Sequence, residues 1–229
     1  SGSALGAVRH GGFIPWDDDI DIGMPRQDYE KFLEIAQEEL GENYFVQTRK
    51  TDPKAPFSFA KVRKNGTTFL EWNKRNIKMH HGIYIDVFPY DGLPIDGLDE
   101  HIDKCLKLNK IQFKKYIPDR VGIPHKGFKW KLGAIARRMQ HYLLKMYPES
   151  LLEGKIEKEY MRHEIKPNEH GFCTCFSFVD RIIFPNEMLF PPQKIMFEGE
   201  EFYAPAKLEE YLTLMYGDYM QLPSVEDRV

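Results

Sequence analysis

The sequence predicts an α+β fold, a mixed β-sheet with flanking helices and a basic helical insertion. Four features lead to this prediction. Apolar residues recur at helical spacing over residues 26–40, and the dipeptide Asn65-Gly66, a strong hairpin signal, lies between two strand-like runs. Residues 82–88 are apolar on both faces, as in a buried strand, and the helical patterns that follow are rich in lysine and arginine.

The remaining elements follow from the same local signals. Glycines and prolines bracket a short acidic strand near the start, and the Glu198-Gly199 dipeptide joins two short runs into a second hairpin. Prolines and glycines over residues 118–127 divide the basic region into two helices. In chain order, the sequence predicts a strand between residues 15 and 23, a helix over 26–40, strands over 44–50, 57–64, 67–72 and 82–88, the two basic helices, a helix over 151–163, a strand over 172–179, the hairpin over 197–202 and a helix over 206–216.

Composition places the chain among compact globular proteins. Its 229 residues are 42% hydrophobic, which is enough for a core and excludes a disordered tail or a fibre. We expect one domain over residues 1–229, with the basic helical insertion at about 98–165. Cys105, Cys173 and Cys175 are too few for a disulfide scaffold and favour a reducing, cytoplasmic location. No apolar run reaches the ~18 residues that span a bilayer.

Charge is divided unevenly along the chain. Residues 104–147 contain nine Lys and three Arg against one acid, Asp119, so this segment carries +11; because the whole chain carries −3, the remainder carries −14. Apolar and aromatic residues alternate with the cations, as in an amphipathic element on an acidic membrane surface. The segment is interpreted as a solvated pair of helices, as a peripheral contact with the inner membrane face, or as a contact with a polyanionic acceptor. Nucleic acid is not expected as a partner.

The most informative stretch is Asp-Asp-Asp-Ile-Asp at residues 17–21. On a strand, side chains two residues apart share a face, so we expect Asp17, Asp19 and Asp21 to point the same way. Three ionised carboxylates on one face repel one another and require a cation; Mg²⁺ prefers such oxygen ligands, with Mn²⁺ as an alternative. An EF-hand loop would need glycine one residue before Gly23, which argues against calcium. A polar turn that caps a strand is the structural alternative.

Asp86 is a second acidic position of interest. It lies in the run over residues 82–88 that is otherwise apolar on both faces, and a buried carboxylate needs a partner to offset the cost of its desolvation. A neighbouring strand that carries a metal ion would supply this partner. Alternatively, the acid emerges at the end of its strand, as Pro89 and Gly92 allow.

Together these acids form a predicted metal site. Two carboxylates two residues apart, with a third on another strand, hold Mg²⁺ against nucleotide phosphates in the nucleotidyltransferase fold. The predicted metal ligands are Asp17, Asp19, Asp21 and Asp86, of which the last three are catalytic. Cations for binding the phosphates are Arg9 and His10 before the acidic stretch, and Lys61 and Arg63 on one face of a later strand. Each of these cations can equally be an ordinary surface charge.

Two further sites are less strongly indicated by the sequence. Cys173 and Cys175 share a strand face near two histidines, but their spacing matches no recognised zinc finger, so zinc is not expected. The aromatic residues Trp16, Trp72 and Tyr84 either box a quaternary ammonium group by cation–π attraction or pack in the core, and core packing is the more common role.

Three blocks of sequence carry a resemblance to a known family. Residues 1–22 read Ser-Gly-Ser-Ala-Leu-Gly-Ala-Val-Arg-His-Gly-Gly-Phe-Ile-Pro-Trp-Asp-Asp-Asp-Ile-Asp-Ile, residues 85–89 read Ile-Asp-Val-Phe-Pro, and the third block covers residues 211–223. These blocks resemble those of the LicD family of phosphotransferases, relatives of fukutin within the nucleotidyltransferase superfamily. In that family a helix and a strand precede the Ser-Gly-Ser turn, whereas this sequence begins at the turn.

The resemblance implies roles for individual residues. Asp19 and Asp21 match the paired metal carboxylates, and Asp86 matches the third. Gly2 and Ser3 match a turn of small residues that approaches the donor phosphate. On the same pattern, Asp17 is an auxiliary ligand or supports the other ligands.

The resemblance also implies an activity. It is transfer of a phospho-alcohol, typically phosphocholine from CDP-choline, to a sugar hydroxyl on a lipid-linked or polymeric cell-surface glycan. Two alternatives stay open. The same carboxylates would serve a nucleotidyltransferase that delivers NMP to a small molecule or sugar, and a catalytically inactive module would dock on an anionic surface through residues 104–147.

Overall fold

Helices and short strands alternate along the chain in the computed structural model. It describes residues 2–118, 127–166, 169–177, 181–224, 226 and 228. In chain order the elements are α1 (Gly2–His10), β1 (Asp21–Pro25), α2 (Arg26–Leu40), β2 (Tyr44–Gln47), β3 (Ala60–Lys64), β4 (Tyr84–Leu93), α3 (Leu98–Tyr116), α4 (Phe128–Lys145), α5 (Glu149–Tyr160), β5 (Phe172–Thr174), β6 (Phe184–Pro185), α6 (Asn186–Leu189), β7 (Gln193–Phe197), β8 (Glu200–Ala204) and α7 (Leu208–Tyr216).

Strand β4 is the centre of the main sheet. Within the described residues, six strands form this sheet in the order β2-β3-β4-β5-β6, and β1 joins it by pairing with β4. The β1–β4 pair is parallel, whereas β3 and β5 pair with β4 in the antiparallel direction. The sheet is therefore mixed and the α+β prediction is confirmed. The nucleotidyltransferase fold and the single domain over residues 1–229 stay predictions.

Strand β4 continues through Pro89 to Leu93, although proline usually ends a central strand. The backbone N–H of Asp86 donates to the carbonyl of Ile20 at 2.9 Å, on the β1 edge. Since N–H groups alternate between the two edges of a strand, position 89 faces the opposite edge. On that edge, the pairing of β4 with β3 ends at Val87, so Pro89 removes no hydrogen bond between β3 and β4. Asp86 consequently lies inside the strand rather than at its end.

Groups of buried apolar side chains hold the helices against the sheets. One group joins α2 to the main sheet, a second lies among α3, α5 and β4, and a third lies around α1, α6 and α7. Their members are, in that order, Tyr29, Ala60, Val62 and Val87; Leu93, Ile102, Cys105, Leu152, Ile156, Tyr160 and Phe176; and Leu5, Ile14, Ile165, Cys173, Phe184, Met188, Leu189, Ala204, Leu208, Tyr211 and Leu212. Burial of each large apolar side chain contributes roughly 1.5–3 kcal/mol.

Helix α4 differs from the other long helices because most of its surface is exposed. Among its residues, all of which are described, only His141 is buried. Its large apolar side chains are open to solvent, including Phe128 at 76% and Tyr142 at 66% of full exposure. No helix in the described part of the chain combines the length and apolar character that crossing a membrane requires.

Local sequence signals predicted several elements correctly and one incorrectly. The helix over residues 26–40, the hairpin around Glu198-Gly199 and the last helix are confirmed. The prediction of a strand over residues 67–72 is wrong. Strand β4 pairs with β3, and the segment after the Asn65-Gly66 turn does not. That segment forms a loop in which the N–H of Phe69 donates to the carbonyl of His81. The predicted strand over 172–179 ends at Thr174, and its last two residues lie outside the described part.

A buried ion pair fastens the start of α2 to the far end of β4. The guanidinium of Arg26 donates from Nε to Oδ1 of Asp91 at 2.7 Å and from its Nη2 to Oδ2 at 2.9 Å. Burial raises the pKa of Asp91 to about 6, even though Arg26 opposes this shift, and Asp91 in turn raises the pKa of Arg26. The carboxylate therefore depends on Arg26 to remain ionised.

We expect Arg26→Met to lower the free energy of unfolding by about 3–5 kcal/mol, since removing one partner leaves a buried charge without compensation. Urea unfolding measures this change. The matched control is Lys31→Met on the same helix, whose ion pair with Asp28 is exposed and should cost less than about 1 kcal/mol. The double variant Arg26→Met, Asp91→Leu should recover most of the loss. Equal losses in the variant and the control would contradict the prediction.

Candidate functional site

Strand register aligns three predicted site residues across the main sheet. Asp21 on β1 lies opposite Asp86 on β4, and Asp86 lies opposite Lys61 on β3. Residues directly opposite each other on neighbouring strands project to the same face of a sheet. One face of the main sheet therefore carries Asp21 from the acidic stretch, the buried Asp86 and Lys61, which was predicted to bind phosphate.

Lys61 and Asp86 form a buried ion pair. Nζ of Lys61 donates to Oδ1 of Asp86 at 2.5 Å, and the two side chains are 2% and 9% exposed. The ammonium also lies 3.4 Å from the centre of the Tyr84 ring. Burial raises the pKa of Asp86 and lowers the pKa of Lys61 to about 8, and each shift is opposed by the other member of the pair. The partner that Asp86 needed is thus a lysine on the neighbouring strand.

The acidic stretch is a loop that leads into β1. Residues 17–20 belong to no strand, so the prediction that Asp17, Asp19 and Asp21 share a strand face is wrong as an account of how they meet. The register places Asp17 opposite residue 82, two residues before β4 begins, where no partner strand is available. The N–H of Asp17 instead donates to the carbonyl of Ile14 at 2.9 Å, closing a turn.

The aspartates nevertheless converge. Asp17, Asp19 and Asp21 line one cavity of about 670 Å³. Burial, followed in order of size by the neighbouring charges of Asp21, Asp17, Asp86 and Asp18, raises the pKa of Asp19 to about 6. Every one of these contributions acts against ionisation, so a cation supplied from outside the chain would stabilise this carboxylate.

Gly2 and Ser3 lie in the first turn of α1 rather than in a loop. The Ser3 hydroxyl accepts a hydrogen bond from the backbone N–H of Asp21 at 3.0 Å, which fixes the start of β1. A Cβ atom on Gly2 would lie 2.5 Å from Oδ2 of Asp17, so glycine allows that carboxylate to approach the helix. A negative charge at a helix N-terminus is favourable. The two small residues thus position the acids, and their role toward a donor phosphate stays a prediction.

Arg9 and His10, at the other end of α1, differ in position. Arg9 lines the carboxylate cavity, and its Nη1 donates to the carbonyl of Tyr219 at 3.0 Å, which ties the helix to the end of the chain. His10 is exposed and contacts the Trp16 ring edge-on, with the ring centres 5.9 Å apart. Arg9 is therefore the cation of this pair that borders the cavity.

Arg63 is not brought to the cavity. Although it shares a strand face with Lys61, its side chain is fully buried, donating from Nε to Oε1 of Gln47 at 2.5 Å and from Nη1 to the carbonyl of Gly82 at 2.7 Å. Its guanidinium lies 4.6 Å from the Tyr84 ring. These contacts connect β2 to the start of β4, which is a structural role.

Residues near the end of the chain complete the cavity and were not predicted individually. The cavity is also lined by Trp16, Tyr216, Asp218, Tyr219 and Gln221. The sequence indicated residues 211–223 only as a block that resembles the family, with no role for its individual residues. Their approach to the acidic loop depends on how α7 packs against α1, for which local sequence contains no signal.

Glu198, predicted only as part of a hairpin turn, makes contacts that the sequence did not indicate. Its Oε1 accepts a hydrogen bond from the N–H of Phe13 at 3.0 Å, and its own N–H donates to the carbonyl of Gly11 at 2.9 Å. A Cβ on Gly12 would lie 1.9 Å from Oε1 of Glu198, so only glycine leaves room for this contact. The hairpin β7–β8 is thereby fastened to the loop after α1.

The carboxylate oxygens at this site are chemically suited to a hard cation, but their arrangement is suited to one only in part. Carboxylate oxygens are the ligands that Mg²⁺ prefers, and the raised pKa of Asp19 marks a place where a cation would relieve repulsion. Among the described residues, however, no three His, Cys, Asp or Glu side chains are close enough to hold one metal ion as they stand. Oδ1 of Asp86 contacts Lys61, so Asp19 and Asp21 are the more accessible candidate ligands.

A family model matches the half of the chain that contains these acids. It covers residues 1–117 and is described as "LicD/FKTN/FKRP, nucleotidyltransferase domain". The matched region includes α1, the acidic loop, β1 and β4, and it ends just after α3.

Individual relatives resemble the chain to different extents. It is 28% identical over 237 aligned residues to the lipopolysaccharide cholinephosphotransferase LicD of Haemophilus influenzae, and this alignment covers 99% of the chain and 83% of the relative. Two uncharacterized proteins of Rickettsia typhi and Rickettsia prowazekii are 44% and 64% identical over 50 and 28 residues. These shorter matches cover 22% and 12% of the chain, and 16% and 10% of the two relatives.

The raised pKa of Asp19 predicts a measurable dependence of stability on pH. Because the folded-state pKa is above the ordinary value of 3.8, protonation of Asp19 stabilises the fold below pH 3.8, and this gain is lost as pH rises through about 6. Unfolding free energies of the wild type and Asp19→Asn should diverge over that window in metal-free buffer. Asp96→Asn, an exposed aspartate in the turn before α3 whose charge does not act on Asp19, should keep the wild-type profile. Parallel profiles for wild type and Asp19→Asn would rule out this assignment.

Proposed function

The chain belongs to the LicD/FKTN/FKRP family, and on that premise we propose that it is a phosphotransferase of the LicD type. It would move phosphocholine, or a similar phospho-alcohol, from a CDP-alcohol to a sugar hydroxyl of a cell-surface glycan precursor. The relative with full-length similarity is named a lipopolysaccharide cholinephosphotransferase, which supports this reaction class.

One structural observation carries the proposal beyond similarity. The parallel register of β1 and β4 sets Asp21 directly beside Asp86, and Asp19 is electrostatically coupled to both. Carboxylates from two strands therefore approach each other although they are 65 residues apart in sequence. Such a cluster is costly to maintain unless a cation is bound during function.

We propose Mg²⁺, with Mn²⁺ as an alternative, as the cation that Asp19, Asp21 and Asp86 hold, with Asp17 in support. When bound, a divalent ion would polarise the phosphorus and neutralise charge on phosphate oxygens. Because Lys61 donates to Oδ1 of Asp86, the ion would be held by the other oxygen of this carboxylate, Oδ2.

The residues of the chain would support an in-line displacement at the phosphorus that carries the alcohol. The sugar hydroxyl oxygen forms a bond to this phosphorus, the bond from the same phosphorus to the CMP oxygen breaks, and CMP leaves with that electron pair. The hydroxyl proton passes to a carboxylate, for which Asp86 is the candidate provided that it is not fully committed to the metal. Arg9 borders the cavity and would offset charge that spreads onto the phosphate oxygens. Lys61 would act through its ion pair with Asp86.

A thermal-shift screen of CDP-alcohols with and without Mg²⁺ tests the proposed donor class, since a ligand that binds only the folded state raises the unfolding midpoint. We expect CDP-choline to stabilise the protein in a metal-dependent manner, and CTP and ATP to have no comparable effect. Product analysis with a donor labelled in the alcohol moiety then identifies the group transferred. Label that stays out of the acceptor product would favour transfer of NMP.

We expect Asp21→Asn to lower kcat for transfer by about 10²–10³-fold, because it removes a charge at the reacting phosphate. The matched control is Asp18→Asn, an aspartate of the same stretch that does not line the cavity, which should retain activity within a few-fold. Circular dichroism checks that both variants fold. Full activity of Asp21→Asn would contradict the assignment of this cluster as the catalytic site.

We also propose that the +11 segment contacts the inner membrane face, where lipid-linked acceptors would be presented. The exposed surface of α4 supports this proposal. Six apolar side chains that are 49–81% exposed follow one helical stripe; they are Phe128, Leu132, Ile135, Met139, Tyr142 and, just after the helix, Met146. Lysines at positions 129, 131 and 145 are exposed on the same helix. An exposed apolar stripe with adjacent cations suits an anionic membrane surface.

Sedimentation with vesicles tests the membrane contact. The protein should bind vesicles of phosphatidylcholine and phosphatidylglycerol, bind less at high salt, and bind weakly to phosphatidylcholine alone. Leu132→Ser, Ile135→Ser should weaken binding by at least about 10-fold, since two apolar side chains no longer enter the interface. Ile95→Ser is the matched control, because Ile95 is 75% exposed and lies outside α4. Equal binding of the double variant and the wild type would remove α4 from this role.

A further inference from the structure

A second cavity, of about 520 Å³, shares Asp21 with the carboxylate cavity. Its walls are mainly apolar and unusually rich in aromatic side chains. The aromatic lining residues are Tyr90, Phe190, Phe197, Phe202, Tyr203 and Tyr211. The acidic lining residues are Asp21 and Asp28, and no lysine, arginine or histidine is among the lining residues in the described part of the chain.

Elements from both ends of the chain form the walls of this cavity. Strand β1 contributes Asp21 and Gly23, and a Cβ on Gly23 would lie 2.3 Å from the Tyr90 ring, so glycine lets that ring lie against the strand. The hairpin β7–β8 contributes Phe202 and Tyr203. Contact between the rings of Phe197 and Phe13, 4.9 Å apart, helps to hold the hairpin in place.

Two rings of the hairpin are largely open to solvent. Tyr203 is 74% exposed and Phe202 is 53% exposed, although both line the cavity. Large aromatic side chains at the edge of a concave surface commonly mark a binding site. Their exposure also means that either ring can be changed with little effect on the core.

The chemistry of the lining favours one class of ligand. Aromatic faces attract a cation and at the same time accommodate apolar methyl groups, and nearby carboxylates strengthen this attraction. A phosphate would instead require lysine or arginine, and a purely apolar ligand would gain nothing from Asp21 and Asp28. Asp28 is partly engaged, since its Oδ1 lies 3.7 Å from Nζ of Lys31.

We propose that this cavity binds the quaternary ammonium head group of the transferred phospho-alcohol. The inference rests on the proposed function, because it assigns one end of the donor to a site beside the catalytic cluster. Asp21 borders both cavities, so a donor whose phosphate lies at the carboxylates would extend its head group into the aromatic cavity.

Aromatic residues that sequence analysis considered for this role are already engaged by cations of the protein itself. The Trp16 ring has Arg228 at 5.0 Å, the Trp72 ring has Arg75 at 3.8 Å, and the Tyr84 ring has Lys61 at 3.4 Å. By contrast, in the part of the chain that the structure describes, no lysine or arginine lies over any of the six rings of the cavity. Of these rings, Tyr203 and Phe202 are the most exposed and can be reached by a cation from outside, whereas Tyr90 and Tyr211 pack against Phe184.

Affinity for two matched donors tests the inference on the full chain. CDP-choline is compared with CDP-neohexanol, an uncharged isostere in which carbon replaces the ammonium nitrogen, by calorimetry with Mg²⁺ present. The wild type should bind CDP-choline about 10-fold more tightly. Tyr203→Leu should reduce this preference to within about 2-fold, and Asp28→Asn should weaken binding of CDP-choline but not of the isostere. Tyr44→Leu, which changes an exposed ring on β2 that lines neither cavity, is the control and should keep the full preference.

The outcomes separate this inference from the proposed function. Equal affinity for the two donors, or an unchanged preference in Tyr203→Leu, overturns the head-group assignment while CDP-alcohol transfer stands. Preferred use of a CDP-alcohol without a quaternary ammonium also overturns it alone. If no CDP-alcohol is bound or transferred, the proposed function fails; perturbation of Tyr203 and Phe202 resonances by tetramethylammonium would then still support the cavity as a quaternary ammonium site, and its absence would overturn it.

Discussion

One buried charge, the carboxylate of Asp86 in the middle of β4, sets the arrangement of the rest of the site. A carboxylate inside a sheet is tolerated only with a partner, and β3 supplies this partner as Lys61 while β1 places Asp21 on the other side. The three strands are thus held in one register around alternating charges. Because a shift by one residue would send these side chains to the opposite face, the charges and the pairing of the strands constrain each other.

Two cavities with different chemistry meet at Asp21. One is lined by carboxylates and Arg9, whereas the other is aromatic and contains no described cation. The division arises from how the ends of the chain fold back, because α7 and the β7–β8 hairpin supply walls to α1 and β1, which lie near the beginning. Two glycines make this closure possible, since Gly12 leaves space for Glu198 and Gly23 leaves space for Tyr90. A polar compartment and an apolar compartment side by side suit a substrate with a charged phosphate and a bulky head group.

Sequence signals that depend on neighbouring residues predicted the corresponding structure well. The spacing of apolar residues in α2 and α7 and the turn at Glu198-Gly199 are local, and the structure agrees with them. The strand predicted over residues 67–72 failed because the edge of β3 that it would have occupied is taken by β4. Pro89 suggested an end of β4 that the structure does not have. Proline has no N–H to donate, but position 89 faces the β3 edge where the pairing with β3 has already ended, so the strand continues. Both errors concern competition between distant segments for the same hydrogen bonds.

The sequence by itself determined which residues are acidic, apolar or basic, and therefore that Asp19, Asp21 and Asp86 are the principal candidate acids and that residues 104–147 form a cationic region. It could not decide how these groups are partnered, because partners come from segments far apart in the chain. Tertiary structure decided that Lys61 pairs with Asp86, that Arg63 is buried away from the cavity, that α4 exposes an apolar stripe, and that the hairpin contributes to an aromatic cavity beside Asp21. The physical reason is that composition and periodicity report local preference, whereas burial and pairing depend on which surfaces meet.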